Sequence, residues 1–231
     1  MHATLCATVE KAPVGAAHKD YVCAASTGDT GEGLAMYDAG MSHFQSEQFQ
    51  AALPMLQGAN KHCVFGSAYA LGIMRKHGYG CLKDANAAYV LFRQSSRRGH
   101  SIAGYECALM LHNIDAHRTT DVQDALAFKL FLAAALGTAR CPPVLHAQSM
   151  VGECYLQGRG VAQNYEKAFE SFTQHRQTCH DESDTVAEAL RLSSSSAFFL
   201  GAMHMQGLGM GVSAAKADFF FNEATLGSLH Q

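Results

Sequence analysis

The side chains best suited to chemistry gather in one short stretch, His175, Cys179 and His180, with Asp181 following. His175 and Cys179 stand one helical turn apart, the spacing at which two metal ligands share a helix face. Zinc needs a fourth correctly placed ligand, and this spacing matches no finger or knuckle. A helix end with ordinary polar residues is the favoured reading. His112 and His117 flank a loop and make a weaker pair. A second pattern is a column of soft side chains, Met36, Met74, Met110, Cys154 and Met203. Such a column suits a soft metal or an adaptable peptide groove, but methionine is also the flexible filler between helix layers, and core is favoured. Nucleophile and phosphate motifs are missing: there is no GxSxG elbow, no GxxxxGKS/T loop, and no GxGxxG after a strand. The glycines at Gly207, Gly209 and Gly211 follow a helical pattern, so they serve a turn. No catalytic residue, cofactor-binding residue, cofactor or metal ligand is assigned, and the chain reads as a non-enzyme.

Composition narrows the classes. The chain has 231 residues, of which 48% are hydrophobic and 16% charged, the latter below the globular norm of roughly 25%. Low charge is consistent with a surface partly covered by a partner, or with an alanine-rich interior. A formal charge of −3 gives no global field for nucleic acid. Locally, Arg75, Lys76, Lys83, Arg93, Arg97 and Arg98 form a basic stretch set against Asp84, while Asp181, Glu182, Asp184 and Glu188 form an acidic one. The basic stretch is either a solvated helix face, the favoured reading, or a docking patch for an acidic protein or RNA. No apolar run reaches the roughly 18 residues needed to span a bilayer. The first arginine is Arg75, which argues against an Arg-rich presequence, and no basic segment precedes a long apolar core. The eight cysteines form no CxxC pair and no constant spacing, so reduced, mostly buried thiols in an intracellular compartment, cytoplasmic or mitochondrial, are expected.

The elements that must position these residues come from an internal repeat. The clearest unit runs from Ala147 to Phe172, AQSMVGECYLQGRGVAQNYEKAFESF. Apolar and small residues recur at helical spacing to Tyr155, Gly158 and Gly160 break the helix, Asn164 caps a new one, and Ala168 with Phe172 begins a second stripe. The order returns at residues 67–92 and 196–221, aligning Gly72, Gly152 and Gly201, then Gly78/Gly80, Gly158/Gly160 and Gly207/Gly209. Lys167–Ala168 and Lys216–Ala217 follow the second turn glycine at the same distance. A weaker copy has Cys107–Ala108 and a longer loop, Asn113 to Asp121. Another has Gly33–Leu34, Tyr37 and Gly40 on its first helix and Phe49, Ala52, Leu56 and Ala59 on its second. Small residues on the first helix let its neighbour approach closely, glycine ends the helix in the left-handed region, and Asp84, Asn164 and Ser213 cap the next. Hairpins that bury only part of their apolar surface alone must stack.

These residues resemble the Sel-1-like repeat family, a relative of the tetratricopeptide repeat, over about residues 30–227. The resemblance rests on Ala147, Gly152, Tyr155, Gly158, Gly160, Val161, Asn164, Lys167, Ala168 and Phe172. It implies an all-α, right-handed α-α superhelix of about five antiparallel helix pairs that acts as a non-catalytic protein–protein interaction scaffold, a subunit or assembly factor of a multiprotein complex. A cysteine-rich branch of the family bridges its helices with paired cysteines; this chain does not repeat its cysteines that way. The alternatives are an RNA-contacting subunit using residues 75–98 and, less favoured, a His/Cys metal-dependent protein.

Residues 1–28 match no repeat and read as an N-terminal arm or cap interrupted near Pro13, followed by a solenoid over 29–231. Its copies fall near 30–66, 67–102, 103–146, 147–195 and 196–227. Pro142–Pro143 marks the first turn of a helix, and Ser183 or Asp184 is expected to cap a helix running through Ser193–Ser196. In Phe219-Phe220-Phe221, Phe220 and Phe221 fit core positions and Phe219 is surplus. Phe198, Phe199, Phe219, Arg93, Arg97 and Arg98 are therefore the candidate partner-binding residues.

Overall fold

The computed structural model describes residues 31–112 and 120–229, and among these every regular element is a helix. The expected N-terminal arm, His117, and most of the loop from Asn113 lie outside them. The helices are α1 Gly31–Gln45, α2 Phe49–Lys61, α3 Ser67–His77, α4 Ala85–Arg97, α5 Ser101–His112, α6 Asp121–Leu136, α7 Leu145–Gln157, α8 Tyr165–Glu182, α9 Val186–Gln206 and α10 Ala214–Leu229. The fold class is the all-α helix-hairpin solenoid. The chain divides into two compact units, residues 1–103 with 138–142 and residues 104–137 with 143–231, the boundary falling inside α5.

One turn is built three times. The first turn glycine, Gly78, Gly158 or Gly207, sits in the left-handed region and donates its N–H to the carbonyl of Met74, Cys154 or Met203. The chain then closes back: the N–H of Asp84, Asn164 or Ser213 donates to the carbonyl of Arg75, Tyr155 or His204 at 2.8, 2.9 and 3.0 Å. The same three residues next accept from the first turn of the following helix, Asp84 from Ala87 N–H, Asn164 from Lys167 N–H and Ser213 from Lys216 N–H. One residue thus ends one hairpin arm and starts the other.

In the first unit α1 packs on α2 and α3 on α4. A Cβ on Gly40 would meet Leu56, and one on Gly72 would lie 2.6 Å from the Phe92 ring, so both helix pairs approach where the side chain is missing. Gly80, the second turn glycine, lies against the backbone of Phe49, where α2 begins. The Phe49 and Tyr79 rings stack there at 4.5 Å. In the second unit Gly152 meets Phe172 and Gly201 meets Phe221 in the same way, while Gly160 sits on the Asp124 backbone and Gly209 on Tyr165. Each second turn glycine therefore seats one hairpin on the helix start of the hairpin before it. The core at α8 and α9 gathers Ala168, Phe172, Leu200 and Met203, with Tyr155, Phe169, Phe199 and Phe220 packed around it. Full burial of a ring such as Phe92 or Phe172 contributes about 1.5–3 kcal/mol.

Three local expectations change. The helix through the serine run is capped by Thr185, whose hydroxyl accepts from Glu188 N–H, rather than by Ser183 or Asp184. An extended Thr185 backbone with an acid three residues on makes the better cap. Helix α7 starts at Leu145, so Pro142 and Pro143 precede its first turn. Cys63, Cys81, Cys154 and Cys179 are thiols as expected, but Cys141 is disulfide-bonded.

Candidate interaction surface

Of the residues first suspected of chemistry, His175 and Cys179 lie inside the protein, His180 is half-buried and Asp181 is exposed. His175 and Cys179 are fully buried on α8. The His175 Nδ1 shares a 2.8 Å hydrogen bond with the Ser196 hydroxyl of α9, and its Nε2 lies 3.6 Å from the Cys179 sulfur. Burial, then the neighbouring His146, lowers the His175 pKa to about 3; burial, then Glu182, pushes the Cys179 thiol up to about 12. At neutral pH this is a neutral imidazole beside a protonated thiol. His180 turns to a different helix face, where its Nε2 lies 3.2 Å from a Glu223 carboxylate oxygen. Among the described residues no group of three or more His, Cys, Asp or Glu is placed to hold a metal ion. Glu153, half-buried on α7, has its carboxyl raised by burial to about 7, but the adjacent Cys154 is a core thiol pushed up to about 12. In the methionine column, Met74, Cys154 and Met203 are core, and Met36 and Met110 are half-buried.

The basic stretch is dispersed. Lys83, Arg93 and Arg97 are exposed, the last two one turn apart on α4 with exposed Val90 beside them, whereas Arg75, Lys76 and Arg98 are half-buried. The aromatic candidates separate as well. Phe199 stacks on Phe172 at 4.8 Å and belongs to the core edge. Phe198 is 43% exposed and leans on Phe221 at 5.8 Å. Phe219 is 56% exposed, in edge contact with Phe220 and flanked by the Arg176 guanidinium 6.0 Å from its ring centre.

Two features escaped the sequence reading. One is a groove of about 240 Å³ formed by α6, α7 and α8, lined by Leu132, Leu136, Val151, Tyr155, Lys167 and Glu170. The four-residue step from Leu132 to Leu136 was its available signal. The other is the set of ion pairs joining α8 to α10: Arg176 Nε donates to both oxygens of buried Glu223 at 2.9 Å, with His180 alongside. Nothing in the spacing announces it, because the partners lie over forty residues apart.

Glycine-seated helix hairpins and repeated turns define a helical-repeat protein. Within that class the family is specific: residues 66–100, 145–170 and 194–225 match the Sel1 repeat. Three segments of the chain thus carry the Sel1 repeat. The chain is similar in structure to a Sel1 repeat protein from Oxalobacter formigenes, with a TM-score of 0.59 and 20% identity, covering 84% of this chain and 51% of that one. It is also similar to a protective antigen of uropathogenic Escherichia coli with an SLR fold, with a TM-score of 0.56 and 21% identity, covering 84% of this chain and 46% of that one. The chain thus spans about half the length of these structures. No curated protein matches its sequence. Sel1 repeats generally mediate protein–protein interactions. No described helix is long and apolar enough to cross a membrane.

Proposed function

We propose that this chain is a non-catalytic interaction scaffold that works as a subunit or assembly factor of a multiprotein complex. The observation that carries the reading is a division of side chains. His175 and Cys179, the pair best suited to chemistry, are buried as a neutral imidazole and a protonated thiol, while the large apolar side chains of Phe198, Phe219, Leu226 and Leu229 are exposed. Aromatic side chains are enriched where proteins meet, and contiguous apolar surface marks such sites. The dispersal of the basic stretch favours protein over RNA, since only Lys83, Arg93 and Arg97 of its six cations are exposed.

Size-exclusion of a native-source extract tests this. The 24.8 kDa chain should elute within an assembly several times its mass, and cross-linking mass spectrometry should connect it stoichiometrically to other chains. Elution as a monomer without cross-linked partners refutes the scaffold role. The compartment is read by alkylating the unreduced, denatured chain from its source. A labelled Cys141 supports the reducing intracellular compartment, cytoplasmic or mitochondrial, and a protected one supports an oxidising compartment.

A further inference from the structure

Within the scaffold reading, on which this rests, the last helix presents a more specific surface. Ala215, Phe219, Asn222, Leu226 and Leu229 of α10 are all exposed and are spaced four, three, four and three apart, the spacing that places side chains in a line along one helix face. The chain supplies its own controls. The repeat puts Glu166, Glu170, Thr173 and Gln177 of α8 in the places of Ala215, Phe219, Asn222 and Leu226, and Asn86, Val90, Arg93 and Arg97 in the same places on α4. Those positions are exposed in α8 and α4 too, and there they are polar or charged except for Val90. On α6 the face is intermediate, with Lys129 beside Leu132 and Leu136, and those leucines border the groove already described. At the place of Leu229 the repeat puts half-buried His180 and buried His100, so the contrast rests on Phe219 and Leu226: neither hairpin stacking nor helix formation demands a large apolar residue at either.

The seam is also held firmly. Glu223 stands one residue from Asn222 and is clamped by Arg176 and His180 of α8, and the Arg176 guanidinium covers the flanks of Phe219 and Phe220. Its two ends differ in charge. Asp181 follows His180, which bonds Glu223, and the close approach of Gly227 to Leu190 and Ser194 brings the start of α9, with Glu188, alongside the Leu226–Leu229 end. Asp181, Glu182, Asp184 and Glu188 are all exposed there, whereas near Phe219 exposed Lys216 is offset by exposed Asp218, and Arg176 by Glu223, so that end carries no acidic excess.

We infer that the α10 seam docks an amphipathic helix of a partner protein, its apolar stripe on Phe219, Leu226 and Leu229 and its Lys or Arg residues against the acidic α8–α9 turn. Apolar contact supplies the affinity, and the acidic border selects a basic helix and sets its direction. The same border disfavours an anionic membrane surface.

The test uses the full chain and a fluorescein-labelled helical peptide with leucine at two positions of each heptad and lysine among its polar positions. A matched peptide carries glutamate in place of every lysine. The lysine peptide should bind at least ten-fold more tightly than the glutamate peptide, and the gap should narrow at high salt. Leu226→Glu and Leu229→Ser should each weaken it about ten-fold, with unchanged circular dichroism, while Val90→Glu leaves it unaltered. Equal binding of both peptides, or indifference to L226E and L229S, overturns the inference. So does a dimer of the chain that L226E dissolves, which makes the occupant a second copy, or vesicle binding that L226E removes, which makes it a lipid surface. A native assembly that survives L226E sinks this inference alone, whereas the absence of any assembly sinks the scaffold reading beneath it.

Discussion

Hairpins α7–α8 and α9–α10 are built on one plan and finished differently. Gly152, Gly158, Gly160, Asn164 and Phe172 of the first return as Gly201, Gly207, Gly209, Ser213 and Phe221 of the second, and the backbone-to-backbone turn bonds match to within about 0.2 Å. Yet Phe172 is fully buried where Phe221 is half-buried, and the outward face is polar on α8 but apolar on α10. A residue that fixes a backbone turn or permits a close approach recurs because the geometry recurs. A residue that looks outward answers to whatever it meets there.

The sharpest way to break this comparison is at the second turn glycine. Gly160 and Gly209 share a φ above +70°, but a Cβ on Gly160 would run into the Asp124 carbonyl, while one on Gly209 would meet Tyr165 at 2.9 Å. A carbonyl in the first turn of a packed helix has nowhere to go. Left-handed strain and overpacking together should make Gly160→Val cost about 4 kcal/mol, and Gly209→Val nearer to about 2.5 kcal/mol. Urea unfolding followed by circular dichroism reads both; equal losses would show that φ alone matters and that hairpin seating does not.

The aromatic partners of the small residues give the next contrast. Phe172→Ala removes a fully buried ring that touches Gly152 on one side and stacks on Phe199 on the other, and should cost about 4 kcal/mol. Phe221 meets Gly201 and Phe198 but keeps part of its surface in solvent, so Phe221→Ala should cost about half as much by the same measurement.

The fold was readable because its determinants are local and repeated. Gly72, Gly152 and Gly201 each precede an aromatic by twenty residues, and that interval is the touching pair found in all three hairpins. The surface was less readable. Phe219 stood out as surplus because its two neighbours had places in the core, but Leu226 and Leu229 looked like ordinary helix residues until the repeat showed polar Gln177 and His180 in their positions. The Arg176–Glu223 pair was invisible because a charge pair formed across two helices leaves no period in the sequence. Cys141 was misjudged for a similar reason, since spacing alone cannot announce which sulfurs meet.

Acid should separate the same two hairpins. His175 has a folded pKa of about 3, well below its ordinary value, and its counterpart in α10 is Ala224, which does not titrate. The unfolded chain takes up a proton at His175 near pH 6.5 and the folded chain does not. Its contribution is complete above pH 6.5 and is lost as pH falls toward 3, with a slope of about 1.4 kcal/mol per unit. Between pH 7 and 5 this amounts to about 2 kcal/mol, and His175→Gln should flatten that part of the urea-unfolding profile. An unchanged profile would mean that His175 gains a proton without leaving its place between Ser196 and Cys179.

The smallest contrast lies in the caps. Asn164 accepts from the Lys167 N–H at 2.9 Å, and Ser213 accepts from the Lys216 N–H at 3.4 Å, the same bond in the same turn at different strength. A hydrogen bond half an ångström longer holds less of the helix-start donor that the cap exists to satisfy. Asn164→Ala should cost about 1 kcal/mol and Ser213→Ala about 0.5 kcal/mol. Amide hydrogen exchange at Lys167 and Lys216 resolves effects of this size better than global unfolding does. Exchange at Lys216 should already be faster in the unmodified chain and change little on Ser213→Ala, whereas exchange at Lys167 should accelerate several-fold on Asn164→Ala. If Lys216 proves the better protected of the two, α10 is anchored chiefly from its middle, by Arg176 and His180 on Glu223, and its cap contributes little to holding the seam in place.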